Sequence, residues 1–356
     1  MADIPLRHTH RALSTAVHVA LLSVSAGCFL TFVELAMPPL ASAVDKLTVY
    51  SGRAERLIKP VLDAFTAKTG IQIELLSSGT TELVNRMKAE GDRSPADVFI
   101  TNDAGSLELA RTAGLFRPLN MREVERAIPP QFRAADNSWI GLSGRFWIIV
   151  CNTTLVKPDR IKSLLDLADP TWKDKIAIPN AGSEYLQAGV SVIRASLGDD
   201  QTKKFLEGLR NNAGTQVYQK SSQIVEAVAK GQVAMGIVNH YYVYRHLATQ
   251  PTAPLAVVMP DQQEGGMGTI MNVAGIGIMK HTSRVENAKL LVEFLVAQAG
   301  QKMFADLDKE YPLHPEVKAD PALIERKSFR AALVPLTKLA ELREPTMMLI
   351  EQVGMR

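Results

Sequence analysis

The chain has 356 residues, of which 46% are hydrophobic and 22% are charged, and its formal net charge is +3. A chain of this length is too long to fold around a single small core, so two domains are expected. The ordinary composition excludes a disordered or low-complexity protein. No run of Lys and Arg with interleaved aromatic residues occurs, which argues against nucleic acid as a partner.

The first 43 residues predict an export signal. A positively charged start is followed by Ala12–Ala43, a stretch without Lys or Arg that ends in the small-x-small sequence Ala41-Ser42-Ala43. These three parts are typical of a cleaved secretory peptide. A retained membrane anchor over Ala12–Val33 and a lipoprotein-like site at Cys28 are the alternatives. We expect residues 1–43 to be a signal peptide.

The cysteine content excludes disulfide and cysteine-metal chemistry. Only Cys28 and Cys151 occur in the chain. Cleavage after Ala43 leaves one thiol, so no intrachain disulfide can form. Cys151 lies in the apolar run FWIIVCN, which predicts a buried side chain that packs like a small hydrophobic residue.

From Lys46 onward the sequence predicts alternating strands and helices. The predicted strands are LTVYS, IQIELL and ADVFIT, and the predicted helices are RLIKPVLDAFTAKTG, TTELVNRMKAEG and LELARTAGLF. The first two helices end at Gly70 and Gly91, as helices commonly do. This alternation predicts a mostly parallel sheet with helices on both faces, which forms a first lobe.

The run SGRFWIIVCN predicts a long extended crossing into a second lobe. That lobe is built from the strands KIAIP, TQVYQ and VAMGIV and the helices EYLQAGVSVIRASL, KKFLEGLRNN and QIVEAVAKG. The strand IMNVAGIGIMK predicts the return crossing, and helical patterns fill most of the remainder. We expect lobe 1 to comprise residues 44–144 plus 272–320 and lobe 2 to comprise residues 145–271 plus 321–356.

Catalytic motifs are missing from the sequence. It contains no Gly-x-Ser-x-Gly, no His-Glu-x-x-His, no phosphate loop and no dinucleotide-binding glycine motif. His240 and His246 lie close together, but no third ligand follows at metal-binding spacing. Surface histidines are therefore expected in preference to a zinc site, and the sequence favours a binding protein over an enzyme.

Oxygen donors occur at three predicted strand-to-helix turns of the second lobe. In open α/β sheets such turns bind ligands, and the free amides at a helix start favour an anion. Ordinary helix capping by serine is the alternative. The residues concerned are Gly182, Ser183 and Tyr185 in the first turn, Ser221 and Ser222 in the second, and Asn239, Tyr241 and Tyr242 in the third.

The relative directions of the neighbouring side chains of Tyr241 and Tyr242 depend on where the preceding strand ends. Within a strand their side chains would point to opposite faces of the sheet. If the strand ends at Asn239 and a helix begins, successive side chains differ by about 100°, and both phenols can reach one point. An aromatic cap on the core is the alternative interpretation.

At these residues the chain resembles the periplasmic ferric-ion-binding proteins, which are substrate-binding components of ABC importers. The resemblance covers nearly all of the mature chain and rests on LTVYSGRAERLIKPVLDAFTAKTGI, SPADVFIT, LSGRFWIIVCNTTLV, VNHYY, EYPLHPEV and LIEQVGMR. It implies an α/β, two-lobed type II periplasmic-binding-protein fold that closes about crossings near residues 144–148 and 270–275. It further implies a periplasmic monomer that delivers ferric iron to an inner-membrane ABC permease.

The resemblance also implies the ligands. Tyr241 and Tyr242 take the places of the family's two tyrosinate iron ligands, and Tyr185 takes the place of a third tyrosine found in one branch. Four residues stand where the family holds a synergistic anion, carbonate or phosphate: Gly182, Ser183, Ser221 and Asn239. Arg53 or Arg145 can offset the charge of that anion with a bidentate fork, and hinge ion pairs explain both arginines equally well.

The first lobe departs from the family pattern. Ala54 and Asn102 stand where family members often carry a histidine and a glutamate that bind iron. The adjacent carboxylates Glu55 and Asp103 are candidate substitutes. Because of this departure, an organic anion such as a phosphonate or a carboxylate is the alternative ligand for the same scaffold.

The signal peptide leads to a direct test. Cleavage near Ala43 should give an exported protein whose intact mass corresponds to a chain that starts at about Val44, because Lys46 already begins the first predicted strand. A mass that includes the residues next to Met1 would identify a retained anchor instead.

Overall fold

The structure, a computed structural model, describes residues 45–355. The predicted signal peptide, residues 1–43, and Cys28 lie outside this range. The described strands are β1 (Lys46–Ser51), β2 (Gln72–Ser77), β3 (Val98–Thr101), β4 (Trp139–Asn152), β5 (Ile176–Pro179), β6 (Val217–Tyr218), β7 (Met235–Asn239), β8 (Leu255–Val258), β9 (Met271–Ile278) and β10 (Tyr311–Pro312).

The α-helices lie between these strands and after them. They are α1 (Glu55–Thr69), α2 (Thr80–Glu90), α3 (Ala104–Thr112), α4 (Arg122–Ala127), α5 (Glu184–Leu197), α6 (Asp199–Ala213), α7 (Ser221–Ala229), α8 (His240–Thr249), α9 (Val285–Val296), α10 (Gln298–Asp308) and α11 (Lys338–Gln352). Within the described range no helix is both long enough and apolar enough to cross a bilayer.

The strands form one sheet in the order β2-β1-β3-β9-β4-β7-β5-β6, with β8 and β10 paired to β4. The α/β class and the strand-helix alternation are confirmed. Strands β1 to β3 pair in parallel, as do β5 to β7. Every pairing of β4 and β9 is antiparallel, so the sheet is mixed where the sequence predicts a mostly parallel one. The long crossing strands explain this difference.

Strand β4 belongs to both halves of the sheet. From Trp139 to Phe146 it pairs with β9, and from Trp147 to Cys151 it pairs with β7. All of its residues are buried. The change of partner between Phe146 and Trp147 supports the predicted crossing near residues 144–148. The lobe boundaries themselves stay a prediction.

Helix α11 does not belong to lobe 2 alone. Its Thr346 hydroxyl lies 3.1 Å from the hydroxyl of Ser191 in α5. Its Leu339 lies so close to α3 that a Cβ added at Gly105 would come within 3.2 Å of the Leu339 Cβ. The C-terminal helix therefore touches an element of each predicted lobe.

The apolar periodicity predicts the core correctly in several places. The buried face of α1 consists of Leu57, Ile58, Val61, Leu62 and Phe65, the same residues that its helical spacing selects. Cys151 is fully buried on β4, as expected. Burial raises the pKa of its thiol to about 11.

The predicted helical remainder is wrong over residues 309–337. This stretch contains only β10 and a short 3₁₀ turn at Arg326–Ser328. Tyr311 anchors it, because its ring packs edge to face on Phe146 at 5.1 Å and its hydroxyl donates to the Ile324 carbonyl at 2.7 Å. The stretch contains Pro312, Pro315, Pro321 and Pro335, which interrupt a continuous helix, and β10 pairs with β4 instead.

Candidate functional site

The tyrosine pair lies at a strand-to-helix turn. Strand β7 ends at Asn239, and α8 begins at the next residue. Tyr241 and Tyr242 therefore share the first helical turn, and their ring centroids are 4.4 Å apart. Tyr241 is almost completely buried, with 2% of its surface exposed. The helical alternative for this pair is the correct one.

Tyr185 reaches the same place from α5. It lies in the first turn of that helix, which Ser183 caps by accepting a hydrogen bond from the Leu186 amide at 3.4 Å. Tyr185 is near enough to act on the pKa of both tyrosines of α8. Three phenols from two strand-to-helix turns thus meet at one point.

Burial, together with the neighbouring phenol, keeps Tyr241 and Tyr242 protonated. Burial, followed by the neighbouring Tyr185, raises the pKa of Tyr242 to about 12. The same two causes, in the same order, raise the pKa of Tyr241 well above its ordinary value. Both hydroxyls are therefore neutral near pH 7, and only a strongly charged ligand would convert them to phenolates.

Arg145 lies beside the phenols on β4. Its guanidinium carbon is 5.5 Å from the centre of the Tyr185 ring, and only 1% of the residue is exposed. Tyr185 and Arg145 line a cavity of about 20 Å³ together with Trp147, Asn239 and Asn272. Strand pairing explains the set, because Arg145 pairs with Asn272 and Trp147 pairs with Asn239.

The cavity is lined by hydrogen-bond donors that lack partners. All three guanidinium nitrogens of Arg145, Nε1 of Trp147 and Nδ2 of Asn239 are buried and have no hydrogen-bond partner among the described residues. A buried donor without an acceptor is costly, so such atoms call for an explanation. Unpartnered donors on three lining residues favour a ligand that brings acceptors, which is the chemistry of an anion.

Three predicted anion ligands lie outside the residues that line this cavity: Gly182, Ser183 and Ser221. Gly182 is exposed, and Ser183 serves as the cap of α5, as the capping alternative states. Ser221 is the first residue of α7 and is largely buried. The structure thus brings Arg145 and Asn239 together and leaves these three at the helix starts.

The first lobe contributes Asn102. Its amide Nδ2 donates to the Tyr185 hydroxyl at 3.4 Å and to the Gly52 carbonyl at 3.5 Å. Ala54 and Glu55 are exposed at the start of α1. Asp103 caps α3 by accepting from the Ser106 amide at 2.8 Å. The first-lobe residue beside the phenols is therefore a neutral amide.

Arg53 is engaged in a buried ion cluster. Its Nη2 lies 2.9 Å from Asp308 Oδ2, and its Nη1 lies 3.2 Å from Glu310 Oε2. Ser143 on β4 also donates to Glu310. The ion-pair alternative for Arg53 matches this geometry, and the fork that would hold an anion is already occupied by carboxylates.

Glu310 links the cluster to the site. Burial by itself would raise its pKa, but Arg53 and then Arg145 outweigh that effect and hold the pKa below its ordinary value. The carboxylate is therefore charged, and it lies near both arginines. Glu310 partly balances the positive charge that surrounds the phenols.

His240 is not the surface residue that the sequence predicts. It is fully buried, its Nδ1 accepts from the Phe146 amide at 3.1 Å, and its Nε2 lies 2.8 Å from the Lys309 carbonyl. Nε2 must therefore carry the hydrogen and donate it. Burial lowers the pKa of His240 to about 4, so the ring is neutral.

The described residues, 45–355, contain no group of three or more His, Cys, Asp and Glu side chains that could hold a metal ion.

Comparison of the chain with known proteins identifies its family. The model described as bacterial extracellular solute-binding protein matches residues 93–332, two thirds of the chain. The iron uptake protein A1 of Synechocystis is 30% identical over 316 residues, which are 87% of each chain. The chain belongs to the bacterial extracellular solute-binding proteins. The major ferric iron-binding protein of Neisseria gonorrhoeae is 29% identical over 350 residues, 97% of this chain and 100% of the relative.

Solved structures of this solute-binding family agree with the sequence relatives. An iron-bound HitA from Pseudomonas aeruginosa superposes with a TM-score of 0.81 at 26% identity, covering 87% of this chain and 100% of that one. A Trichodesmium protein in complex with iron and citrate ligands gives 0.78 at 29% identity, with coverage of 87% and 100%. The predicted type II fold and the predicted resemblance are confirmed.

Sequence reasoning missed several residues of this solute-binding protein. Trp147, Asp308 and Glu310 carry no motif, and their partners are distant in sequence, since Arg53 and Glu310 are 257 residues apart. His240 is adjacent to the predicted tyrosine pair, yet nothing local shows that its ring turns inward. A polar residue in a run as apolar as GRFWIIV is the one signal that could indicate a buried Arg145.

Replacing Glu310 by Ala should destabilise the protein by about 3–5 kcal/mol, because the change leaves Arg53 buried beside Asp308 alone and removes the counter-charge of Arg145. Urea unfolding measures the loss. The matched control is Glu286→Ala, which removes an exposed ion pair with Lys289 and should change stability by less than about 1 kcal/mol. Equal losses in the two variants would contradict a neutralising role for Glu310.

Proposed function

We propose that this protein binds ferric iron through the phenolates of Tyr185, Tyr241 and Tyr242, together with a small oxyanion, and delivers the iron to an inner-membrane ABC permease. The observation that carries the proposal is the meeting of three phenols beside a buried arginine whose donors lack partners. The named functions of the relatives, iron uptake and ferric iron binding, support it.

The charge of the site suits a trivalent cation. Three phenolates cancel the charge of ferric iron, and a cation at bonding distance acidifies its ligands strongly enough to overcome the raised pKa values of Tyr241 and Tyr242. A divalent ion would leave the buried phenolates with surplus negative charge. The donor set therefore favours Fe³⁺ as the transported substrate.

Arg145 and Asn239 are the anion ligands that the geometry supports best. Their unpartnered donors line one cavity, and its volume of about 20 Å³ exceeds the space for one water by a small margin. This size favours carbonate over phosphate. The other predicted anion ligands stay in the proposal only as residues that a ligand can reach after the site rearranges. They are Gly182, Ser183, Ser221 and Arg53.

The first lobe supplies weak oxygen donors in this proposal. Asn102 contacts Tyr185 directly, and Glu55 begins the neighbouring helix as an exposed carboxylate. Iron held by three phenolates and a bidentate anion would need at most one more ligand for six-fold coordination. A water molecule or the Glu55 carboxylate can fill that position.

Binding of an organic anion is the second candidate, and the neutral first-lobe residues favour it. A phosphonate or a carboxylate would use the donors of Arg145, Trp147 and Asn239 and would leave the phenols protonated. The small cavity opposes this candidate in the closed arrangement of the lobes. In either case we infer a periplasmic, monomeric transport protein and not an enzyme.

Colour distinguishes the two candidates. Tyrosinate bound to ferric iron absorbs visible light through charge transfer, whereas a complex with an organic anion is colourless. Purified iron-free protein should therefore turn coloured when ferric citrate is added, and it should show no band with gallium in place of iron. A colourless protein that binds a phosphonate or a carboxylate tightly would establish the second candidate.

Removing single phenols should weaken iron binding sharply. Tyr241→Phe and Tyr242→Phe each keep the ring but delete a charged ligand, so we expect affinity to fall by more than about 100-fold, beyond the usual effect of losing a supporting contact. Tyr185→Phe should weaken binding and shift the visible band. Tyr218→Phe, whose hydroxyl binds Gln216, is the control that should leave affinity unchanged. Wild-type affinity in all three variants would refute the phenolate site.

Acid should release the iron. Tyr241 and Tyr242 are protonated in the empty protein because their pKa values are raised, so each loses a proton when it becomes a ligand. Below those pKa values affinity falls about tenfold per pH unit for each such proton, or about 100-fold for the two tyrosines together. Competition with a chelator of known pH dependence, followed between pH 8 and pH 5, measures the slope. A slope near zero would mean that neither phenol ionises on binding.

A further inference from the structure

Helix α11 is held mainly on the second lobe. The hydroxyls of Thr346 and Ser191 are hydrogen-bonded and buried between α11 and α5. Near the C-terminal end of α11, Arg210 of α6 donates to the Val353 carbonyl. The helix is thus tied to lobe 2 at two places, and its first two turns project toward lobe 1.

One residue of this projecting part, Arg343, contacts the first lobe. Its Nη2 donates to the Thr81 hydroxyl at 2.9 Å, and its Nη1 donates to the Ser106 hydroxyl at 2.9 Å. Its Nη1 also lies 3.6 Å from Asp103 Oδ2. Thr81 and Ser106 occupy the first turns of α2 and α3, so these contacts cross from one lobe to the other.

The second lobe brings a carboxylate to the same place. Thr81 accepts from Arg343 and donates to Glu184 Oε1 at 3.4 Å. Asp103, Glu184 and Arg343 line one small cavity. Two carboxylates of opposite lobes therefore face each other with one guanidinium beside them.

We propose that Arg343 is a latch between the lobes: its positive charge offsets part of the negative charge of Asp103 and Glu184 across the boundary and so holds the two lobes together. With Arg343 present the three side chains carry one net negative charge. Without it two partly buried carboxylates remain beside each other, and their repulsion favours opening. The contacts of Arg343 to lobe 1 are polar and few, so they can break and re-form as the lobes move.

The latch also positions a proposed ligand. Glu184 directly precedes Tyr185 in the first turn of α5. Closing the lobes through Glu184 brings Tyr185 against Asn102 of lobe 1. Arg343 is thus a positioning residue that acts through closure and touches neither the phenols nor the anion cavity. This second role rests on the proposed function, whereas the latch itself does not.

The test compares Arg343→Ala and Arg343→Lys with Lys338→Ala. Lys338 lies on the same helix and, within the part of the chain that the structure describes, forms an ion pair only with Glu341 of that helix, so it serves as the matched control. Small-angle scattering of the ligand-free proteins should give a larger radius of gyration for Arg343→Ala than for wild type and for the control. The lysine variant should restore most of the compaction. Equal radii in all four proteins would overturn the latch.

Iron release gives the second measurement. Arg343→Ala loaded with iron should keep the position of the visible band, because the ligands are intact, and should release iron to a chelator roughly tenfold faster. Adding Glu184→Gln to Arg343→Ala removes the repulsion and should slow release again. Unchanged release in Arg343→Ala, or equal acceleration in Lys338→Ala, would contradict the proposal. If no protein develops a band, the iron function fails while the scattering comparison still decides the latch.

Discussion

Strand β4 hydrogen-bonds to both halves of the sheet, and every other feature of the site depends on this sharing. Because its pairing changes from β9 to β7 within two residues, the side chains of Arg145 and Trp147 lie where the two halves meet. Asn239 ends the strand that pairs with Trp147, so the turn that carries the tyrosines starts beside the same point. A ligand at this turn is therefore next to a segment that both halves of the sheet share.

Charge, more than shape, sets what this place can hold. Arg53 and Arg145 are buried near Glu310, while the raised pKa values of Tyr241 and Tyr242 keep their phenols neutral. The partners of Arg53 are carboxylates, whereas the guanidinium of Arg145 has no hydrogen-bond partner among residues 45–355. Arg53 thus forms structural ion pairs and Arg145 lines the cavity, although the sequence does not distinguish the two arginines. The combination of neutral phenols and a guanidinium without hydrogen-bond partners among the described residues suits a metal that enters together with an anion.

The sequence predicts what local patterns control. Helical spacing selects the buried face of α1, and the turn after Asn239 follows from the end of an apolar strand. The sequence does not predict the inward orientation of the His240 ring or the ion pair between Arg53 and Glu310, because in each case the two contacting residues are far apart along the chain. For the same reason the sequence does not predict the contacts of Arg343 with α2 and α3. Long-range polar pairs leave no periodic signal, so only the folded arrangement reveals them.

The single thiol of the described residues, Cys151, is sealed within β4. Since it is buried and its pKa is raised to about 11, it forms almost no thiolate and can neither reduce a ferric ion nor exchange with external disulfides while the chain is folded. A thiol-reactive dye would attach here only after β4 separates from its neighbours, which makes this residue a natural reporter of global unfolding.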